Sequence, residues 1–239
     1  MTTPRYLEDS TVRRFEATVE RVVDDRVVLD ETHFYPAGGG QPADTGTLTV
    51  DGESMQVTDV QKKDTIYHTV DGTPPEAGTT VTGTLDWDRR HAHMRYHTAQ
   101  HLLSALLLGE FDAETTGNQV YADRARLDCA YDRFDTDDLA TIEDRLNDLV
   151  TDALPVQWYD MDRAVAEERL DTERTRIDLL PDSITELRIV EIGDEADPFD
   201  RTACAGTHVE NTRAIGDVTV TGRETRGSGE ERIYFELEA

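Results

Sequence analysis

The period of the hydrophobic pattern changes once along this chain, near Asp86-Trp87-Asp88. Before this point apolar and polar residues alternate in short runs, and turn signals such as Asp51-Gly52 and Asp71-Gly72 separate the runs. Alternation of this kind is typical of β-strands joined by hairpins. It predicts strands at residues 14–23, 26–31, 47–50, 54–61, 65–70 and 79–85. Six short strands in this length favour a small closed or partly open barrel.

After Trp87 the spacing becomes helical. Residues 89–108 should form a helix that ends at Gly109, and residues 137–154 an amphipathic helix capped by Asp137 or Thr136. A third helix is predicted at 162–170, and strands are predicted at 120–131, 156–160, 187–192, 218–222 and 232–237. The expected fold class is therefore α+β. It comprises an N-terminal β-barrel-like domain at residues 1–87 and an α+β domain with a largely antiparallel sheet at 88–239.

The chain is strongly acidic. Its 239 residues include 51 Asp and Glu against 24 Lys and Arg, a formal net charge of −27, and Lys62 and Lys63 are the only lysines. The acids are scattered, which argues against a disordered acidic tail. A cationic partner stays open, but we favour a solvated acidic surface suited to concentrated salt, and hence a halophilic protein. The charge weakens a nucleic-acid-binding interpretation, although Arg89, Arg90 and Arg95 form a local basic island.

Nothing in the sequence points to secretion or to a membrane. The N-terminus lacks the apolar stretch of a signal peptide. The longest apolar run, at residues 102–108, is far shorter than the roughly 20 residues that a spanning helix needs. Cys129 and Cys204 are the only cysteines, too few for a disulfide framework. We therefore expect a cytoplasmic protein with no membrane partner.

His97 and His101 lie four residues apart in the stretch RYHTAQHLLSALL, on the predicted helix 89–108. At this spacing both imidazoles project from one helix face with Cβ atoms about 5–6 Å apart, which suits a shared metal ion. An ordinary pair of histidines near a core remains open, and for an isolated pair it is the favoured alternative. The zinc-protease motif HExxH is excluded because the sequence here is HTAQH.

A second short stretch, CAGTH, places Cys204 four residues before His208. Ala205 and Gly206 keep this loop slim, so both side chains could reach the same point. Together with the two histidines of the helix, the pair supplies three imidazoles and one thiol, a set that suits tetrahedral Zn²⁺. The alternative for Cys204 is a small buried hydrophobic residue, which is our interpretation of Cys129 in its predicted strand.

A third stretch, FYPAGGGQPADTG, contains the consecutive glycines Gly38, Gly39 and Gly40, followed by Gln41. Consecutive glycines expose backbone N–H groups and permit the close approach of a ligand. The stretch does not match GxxxxGK[ST] and no helical pattern follows it, so no nucleotide cofactor is expected. Gln41 could contact a small polar group. A flexible hairpin connection is the alternative.

Taken together, these stretches resemble the editing domain of alanyl-tRNA synthetase and its free-standing relatives, the AlaX-type alanyl-tRNA editing proteins. Four segments in the family's order carry the resemblance: FYPAGGGQPADTG, MRYHTAQHLLSALL, CAGTHVENTRAIGDVTV and RGSGEERIYFEL. The resemblance covers nearly the whole chain and is to the medium-length type, which has an N-terminal barrel and the glycine-rich loop. We expect the chain to lack the aminoacylation and tRNA-recognition domains of a synthetase.

The resemblance implies hydrolysis of tRNA(Ala) mischarged with serine or glycine, with the acceptor end of tRNA(Ala) as partner and Zn²⁺ as cofactor. By this resemblance the zinc ligands are His97, His101, Cys204 and His208, the residues of the catalytic pocket are Thr98 and Gln100, and the substrate-binding loop is Gly38, Gly39, Gly40 and Gln41. Our candidates for tRNA contacts are Arg89, Arg90, Arg95 and Arg226. Two features depart from the family: Ala205 replaces the usual glycine of CGGTH, and the acidic charge is atypical of a tRNA binder.

Three other functions stay open: an editor of mischarged tRNA(Thr), a zinc hydrolase of a small ester, and a zinc module that binds RNA without chemistry.

Selectivity for serine over alanine is a separate physical problem. Because alanine is smaller than serine, a pocket that accepts serine can reject alanine only through polar groups that the missing hydroxyl leaves unsatisfied. Gln41, Thr98 and the nearby loop amides are the candidates for that role.

Overall fold

The alternating N-terminal residues form a closed barrel of six strands in the computed structural model. The strands of this region are β1 (Thr3–Pro4), β2 (Arg14–Val23), β3 (Arg26–Leu29), β4 (Glu31–Thr32), β5 (Gly46–Val50), β6 (Glu53–Lys62), β7 (Ile66–Asp71) and β8 (Thr80–Leu85). The barrel order is β2-β3-β7-β6-β5-β8, with every neighbouring pair antiparallel. Strands β1 and β4 form a separate parallel pair, and Arg5–Leu7 is a short 3₁₀ helix. The barrel predicted from the alternating pattern is confirmed.

The barrel core follows the period of the strands. Phe15, Ala17 and Val19 alternate along β2 with more exposed residues, and all three are buried. Close packing also explains one glycine: a Cβ at Gly83 would lie 2.5 Å from the ring of Phe15, so only glycine fits there without a shift of the ring. Inward-facing side chains from all six strands therefore fill the barrel with apolar volume.

The structure describes residues 1–170, 175, 177, 181 and 183–238. The chain divides into two compact units, Met1–Met94 and Arg95–Ala239. The division at residue 87 that we derived from the change in period stays a proposal for the domain boundary.

The elements after the barrel are three helices and seven strands within the described part of the chain. They are α1 (Trp87–Phe111), β9 (Thr115–Val120), β10 (Ala125–Cys129), α2 (Thr136–Thr151), β11 (Val156–Asp162), α3 (Arg163–Arg169), β12 (Glu186–Asp194), β13 (Asp197–Ala203), β14 (Val218–Gly227) and β15 (Glu230–Leu237), with a 3₁₀ helix at Thr212–Ile215. One antiparallel sheet has the order β14-β15-β10-β9, and a second has the order β11-β12-β13. The α+β class with largely antiparallel sheets is confirmed.

Several predicted boundaries are wrong for local reasons. Helix α1 passes through Gly109 and ends at Phe111, after which Asp112 has a left-handed φ of 54°. The strand predicted at 120–131 is the hairpin of β9 and β10, in which the Tyr121 N–H donates to the Arg124 carbonyl. Strand β13 was not predicted, because Pro198 and two aspartates, Asp197 and Asp200, interrupt its apolar pattern.

The cap of helix α2 also differs from the prediction. Asp135, not Thr136 or Asp137, is the N-cap: its carboxylate accepts from the backbone N–H groups of Asp137 and Asp138. The carboxylate of Asp138 accepts the Asp135 N–H in return, which completes a capping box. In the described residues no helix is both long and apolar enough to cross a membrane.

Candidate functional site

Four side chains of the second unit converge on one point. His97 and His101 lie one turn apart on α1, Cys204 follows directly after β13, and His208 lies in the loop beyond it. Each residue offers one donor atom, and these atoms all lie within 4.8 Å of one another. The three histidines are buried. The structure therefore brings together the four residues that we had proposed as ligands, and the group could hold a metal ion.

The Cys204 sulfur lies close to two of the histidines of this group, which we call the His–Cys cluster (His97, His101, Cys204 and His208). Its Sγ is 3.4 Å from His208 Nε2 and 3.6 Å from His97 Nε2. The ring centroids of the histidines are 4.4–5.2 Å apart. Such short separations between imidazoles and a thiol allow all four donors to contact one small cation.

Two residues outside the cluster hold its histidines in orientation. Asp200 Oδ2 lies 2.8 Å from His101 Nδ1, and Thr98 Oγ1 lies 3.2 Å from His208 Nδ1. A partner at Nδ1 leaves Nε2 of each ring as the donor atom available to a metal, which is how ligating histidines are normally oriented. Thr98 also accepts the Val209 N–H, at 3.3 Å, and so connects helix α1 to the loop that carries His208.

A single arginine fixes the CAGTH loop. Arg188 Nη1 donates to the carbonyls of Cys204 (2.8 Å) and Gly206 (3.1 Å), and the Cys204 N–H donates to the Arg188 carbonyl. The Gly206 N–H lies 3.3 Å from Cys204 Sγ, where it stabilises a thiolate. Ala205 is exposed and does not have a positive φ, so alanine fits at this position of the loop without backbone strain.

Mutual charge effects shift the pKa values within the cluster. Burial opposes ionisation of the Cys204 thiol, but His97, His208 and His101 together lower its pKa well below the ordinary value. Burial also disfavours a charged His101, yet the Cys204 thiolate and Asp200 raise the pKa of His101 to about 9. Burial and His97 lower the pKa of His208 to about 3. At neutral pH the cluster without a metal therefore contains the Cys204 thiolate, a neutral His208 and a protonated His101, and His101 would release its proton when a metal ion binds.

Gln100, which we had assigned to the catalytic pocket, makes a structural contact. Its side-chain amide donates to the Arg126 carbonyl on β10 at 3.2 Å, and the residue is buried. Thr98, the other residue of that assignment, contacts His208 as described. Its position therefore supports an orienting role next to a donor of the cluster.

The glycine-rich loop forms a tight turn within the first unit. The N–H and C=O of Gly38 bond reciprocally with the C=O and N–H of Gln41, at 3.0 and 2.9 Å. Gly39 and Gly40 have φ values of 57° and 82°, the left-handed backbone that the two central residues of a type I′ turn require. The Tyr35 hydroxyl donates to the Gly38 carbonyl, and Gln41 is buried. The loop is thus a defined turn rather than a loose connection.

A buried ion pair closes the base of this loop. Asp44 accepts the Tyr35 N–H at 2.7 Å, and its carboxylate is held by both Nε and Nη2 of Arg90. Arg90 also donates to the carbonyls of Ser10 and His33, and its side chain is fully buried. A guanidinium held in this way is not available to an RNA phosphate, so we do not retain Arg90 as a tRNA contact. Because Asp44 is 46 residues from Arg90, no local pattern indicated this pair.

The other three arginines that we had assigned to tRNA differ in their surroundings. Arg89 donates to the Ala43 carbonyl at 3.2–3.3 Å. Arg95 donates to the carbonyls of Ile215 (2.8 Å) and Glu238. Arg226 is exposed and pairs with Glu224 at 3.1 Å.

Sequence reasoning missed two residues that support the cluster, Asp200 and Arg188. The spacing Asp200–Cys204–His208, with four residues at each step, was a usable signal for the first. Nothing local marked Arg188, because it contacts the CAGTH loop from strand β12.

Comparison with known proteins connects both parts of the chain to tRNA editing. Residues 7–89 match the family described as tRNA synthetases class II (A), and residues 187–234 match the Threonyl and Alanyl tRNA synthetase second additional domain. The chain is 42% identical to the Alanyl-tRNA editing protein AlaX-M of Methanosarcina barkeri, with 99% of each chain covered, and 40% identical to that of Methanosarcina acetivorans, again with 99% of each covered. It is also 40% identical to the Alanine--tRNA ligase of Thermococcus kodakarensis, with 96% of this chain but 25% of the ligase covered. This chain belongs to the AlaX-M family of alanyl-tRNA editing proteins.

Proposed function

We propose that this protein is an aminoacyl-tRNA deacylase that hydrolyses mischarged tRNA(Ala) in trans, with Ser-tRNA(Ala) as its principal substrate and Gly-tRNA(Ala) as a second. The observation that supports this most is the His–Cys cluster, a buried set of metal donors in a chain that aligns over its full length with editing proteins. The acceptor end of tRNA(Ala) would then be the partner of the site.

We infer that the cluster holds Zn²⁺. Three imidazole nitrogens and one thiolate suit zinc, whereas Mg²⁺ and Ca²⁺ prefer oxygen donors. The Asp200–His101 contact and the lowered pKa of Cys204 are typical of a ligand set oriented and ionised for a metal. When bound, zinc would supply a Lewis acid that polarises the ester carbonyl and favours an ionised water near neutral pH, provided that one coordination position is open to water or substrate; a zinc held by all four side chains with no further position would be structural.

The residues of the chain have roles that are separate from the metal chemistry. Asp200 and Thr98 keep the Nε2 atoms of His101 and His208 directed at the cluster. Burial of the histidines limits access of bulk water, which strengthens electrostatic interactions at the ester. The aminoacyl ester is already activated, so positioning and charge stabilisation together are sufficient for the reaction.

We propose that serine is distinguished from alanine by polar groups, not by size. The candidates are Gln41, Thr98 and the backbone amides of Gly39 and Gly40, since the Gly38 N–H already donates to the Gln41 carbonyl. The rigidity of the Gly38–Gln41 turn supports this, because a fixed hydrogen-bonding group is left unsatisfied when the substrate lacks a hydroxyl, and such a group can discriminate strongly.

A deacylation assay on four substrates tests the proposal. We expect hydrolysis of Ser-tRNA(Ala) and Gly-tRNA(Ala), little hydrolysis of Ala-tRNA(Ala) or Ser-tRNA(Thr), loss of activity with a chelator, and recovery with Zn²⁺. Faster hydrolysis of Ser-tRNA(Thr) would identify an editor of tRNA(Thr). Hydrolysis of a small ester alone would identify a general zinc hydrolase, and RNA binding without any hydrolysis would identify a non-catalytic module.

We also propose that the protein is adapted to the salt of a concentrated cytoplasm. The formal charge of −27 supports this, because screening reduces repulsion between exposed acids. Urea unfolding at rising KCl concentrations tests it: greater stability at molar KCl is expected, and a maximum at low salt would contradict the proposal.

A further inference from the structure

One face of the β14-β15-β10-β9 sheet carries an unusual set of side chains. Along β10 the buried residues Ala125, Leu127 and Cys129 alternate with Arg126 and Asp128. The strand register pairs Arg126 with Tyr234 and Asp128 with Arg232 of β15. Directly paired residues project from the same side of a sheet, so these four side chains share the face opposite the apolar core. The face is polar and aromatic at once.

The β9–β10 turn extends this face with one more tyrosine and one more arginine. Tyr121 is 38% exposed, and the guanidinium carbon of Arg124 lies 4.8 Å from the centroid of its ring. A cavity of about 220 Å³ opens here, and its lining is Tyr121, Arg124, Ala125, Arg126, Arg232 and Tyr234. We call this surface the arginine–tyrosine face.

The cavity in this face is lined by three guanidiniums, those of Arg124, Arg126 and Arg232, and by no carboxylate of the described residues. Carboxylates lie beside it: Asp128 is shared between Arg126 (2.8 Å) and Arg232 (2.5 and 2.8 Å), Arg124 contacts Asp123 at 3.1 Å, and Glu224 accepts the Tyr234 hydroxyl at 2.7 Å. A cavity lined by arginine, on a chain with a formal charge of −27, favours an anionic group as its occupant.

We propose that the arginine–tyrosine face binds the RNA strand of the tRNA substrate, with a phosphate held by the guanidiniums and an unstacked base lying on Tyr121. The proposal rests on the function proposed above, since it takes the same tRNA as the ligand. Arginine next to exposed aromatic rings on a sheet is the combination that single-stranded RNA segments use: the phosphate pairs with guanidinium and the base stacks on the ring. An acidic peptide would use the arginines but would gain little from the tyrosine.

Charge reversal at the turn tests the phosphate contact. The Arg124 side chain is 56% exposed, so Arg124→Glu should leave the fold intact. We expect its affinity for uncharged tRNA(Ala) transcript to fall at least about tenfold, with a decrease of about 1 in the slope of log Kd against log[KCl]. Arg21→Glu is the matched control, because Arg21 is 50% exposed and also lies over a tyrosine, Tyr67, at 5.6 Å. It changes the net charge equally, and we expect less than about a twofold effect.

Tyr121→Ser tests the base contact, with Tyr67→Ser as its control. Loss of one stacked base should weaken binding of tRNA about tenfold, with an unchanged salt slope. Unchanged affinity of Tyr121→Ser would overturn the stacking contact, and unchanged affinity of Arg124→Glu would overturn the phosphate contact. Competition by poly-glutamate at equal affinity would identify an acidic peptide as the partner instead of RNA.

Hydrolysis of Ser-tRNA(Ala), measured in parallel, separates this proposal from the proposed function. If both hold, Arg124→Glu raises KM about tenfold and leaves kcat unchanged. A wild-type protein that binds tRNA through this face but hydrolyses none of the four substrates would overturn the proposed function alone. Normal hydrolysis by the Arg124→Glu and Tyr121→Ser variants, with normal KM and Kd, would overturn the arginine–tyrosine face alone.

Discussion

Buried histidines occur in both units of this protein, and their hydrogen bonds differ in one respect. In the barrel, His68 is fully buried with both ring nitrogens bonded to protein: Nε2 lies 2.8 Å from Thr32 Oγ1, and Nδ1 lies 3.1 Å from the Val27 carbonyl. In the His–Cys cluster, His101 and His208 each have one nitrogen bonded to Asp200 or Thr98, while the other faces Cys204. Burial is therefore common to both cases, and the direction of the second nitrogen separates them.

The electrostatic surroundings follow the same division. Burial lowers the pKa of His68 to about 4, so this ring is neutral and acts as part of the barrel core. The Cys204 thiolate and Asp200 overcome the burial of His101 and raise its pKa to about 9. A buried histidine whose second ring nitrogen faces a thiolate is a candidate ligand, whereas a buried histidine with two uncharged hydrogen-bond partners is structural. The following variants test this distinction, ordered by their expected effect on the metal site.

Removal of the thiolate should have the largest effect. Cys204→Ala takes away one donor and its charge, so we expect loss of stoichiometric zinc and a decrease of more than about 100-fold in Ser-tRNA(Ala) hydrolysis, beyond the loss typical of an outer partner. Plasma mass spectrometry measures the zinc content, and single-turnover deacylation measures the rate of hydrolysis. Cys129→Ala is the matched control, since Cys129 is buried in β10 and should keep the zinc. Zinc retained by Cys204→Ala would refute the ligand assignment.

Removal of the charged orienting group should come next. Asp200→Asn keeps the shape of the side chain but loses the charge that faces His101, so zinc affinity should fall about 10- to 100-fold. Competition with a chromophoric chelator measures the affinity. Asp197→Asn, an exposed position on the same strand, should leave it unchanged. Equal affinities of the two variants would show that Asp200 does not orient a ligand.

Loss of the neutral orienting group should have a smaller effect. Thr98→Val preserves the volume but removes the hydroxyl that contacts His208 Nδ1, and a neutral hydrogen bond contributes about 0.5–1.5 kcal/mol. We therefore expect a decrease in zinc affinity of about tenfold or less in the same competition assay, with Thr141→Val on α2 as the control. A loss larger than that of Asp200→Asn would reverse the proposed order.

His68→Gln should leave zinc affinity unchanged but alter the stability at acid pH. Below pH 6.5 the unfolded chain binds a proton at residue 68 that the folded barrel excludes until about pH 4. The free energy of unfolding therefore has its full value above pH 6.5 and decreases as the pH falls towards 4. At pH 5 the decrease that His68 causes is about 2 kcal/mol. Glutamine does not titrate, so urea unfolding at pH 8 and pH 5 should show a shallower loss in the variant. An equal decrease in the free energy of unfolding in the wild type and in His68→Gln would contradict the lowered pKa of His68.

The sequence predicted the barrel well because its information is local. Each hairpin, such as β5–β6 across Asp51-Gly52, is specified by alternation and a turn within a few residues. The donor set was also accessible, since spacings of four residues pair His97 with His101 and Cys204 with His208. Chemistry of the side chains then indicated that the two pairs belong together.

Features that depend on distant residues were not predictable. Arg90 was assigned to RNA because its neighbours in sequence are basic. Its partner Asp44 lies 46 residues earlier in the chain, and strands β5 to β8 separate the two residues in sequence. Strand β13, which positions Asp200, is defined by its pairing with β12. The register of this pairing shifts between Ile192 and Gly193 of β12. Register between separate strands and the partner of a buried charge are decided by tertiary packing, which no window of sequence contains.

The two cysteines have a practical consequence for following the metal. Cys129 is fully buried and its pKa is raised to about 12 by burial, so alkylating reagents should not modify it in the folded protein. Cys204 has a strongly lowered pKa and is only partly buried, so it is a reactive thiolate whenever no metal is bound to it. The extent of rapid covalent labelling by iodoacetamide should therefore report the fraction of protein without a bound metal, at one site and with no engineered probe.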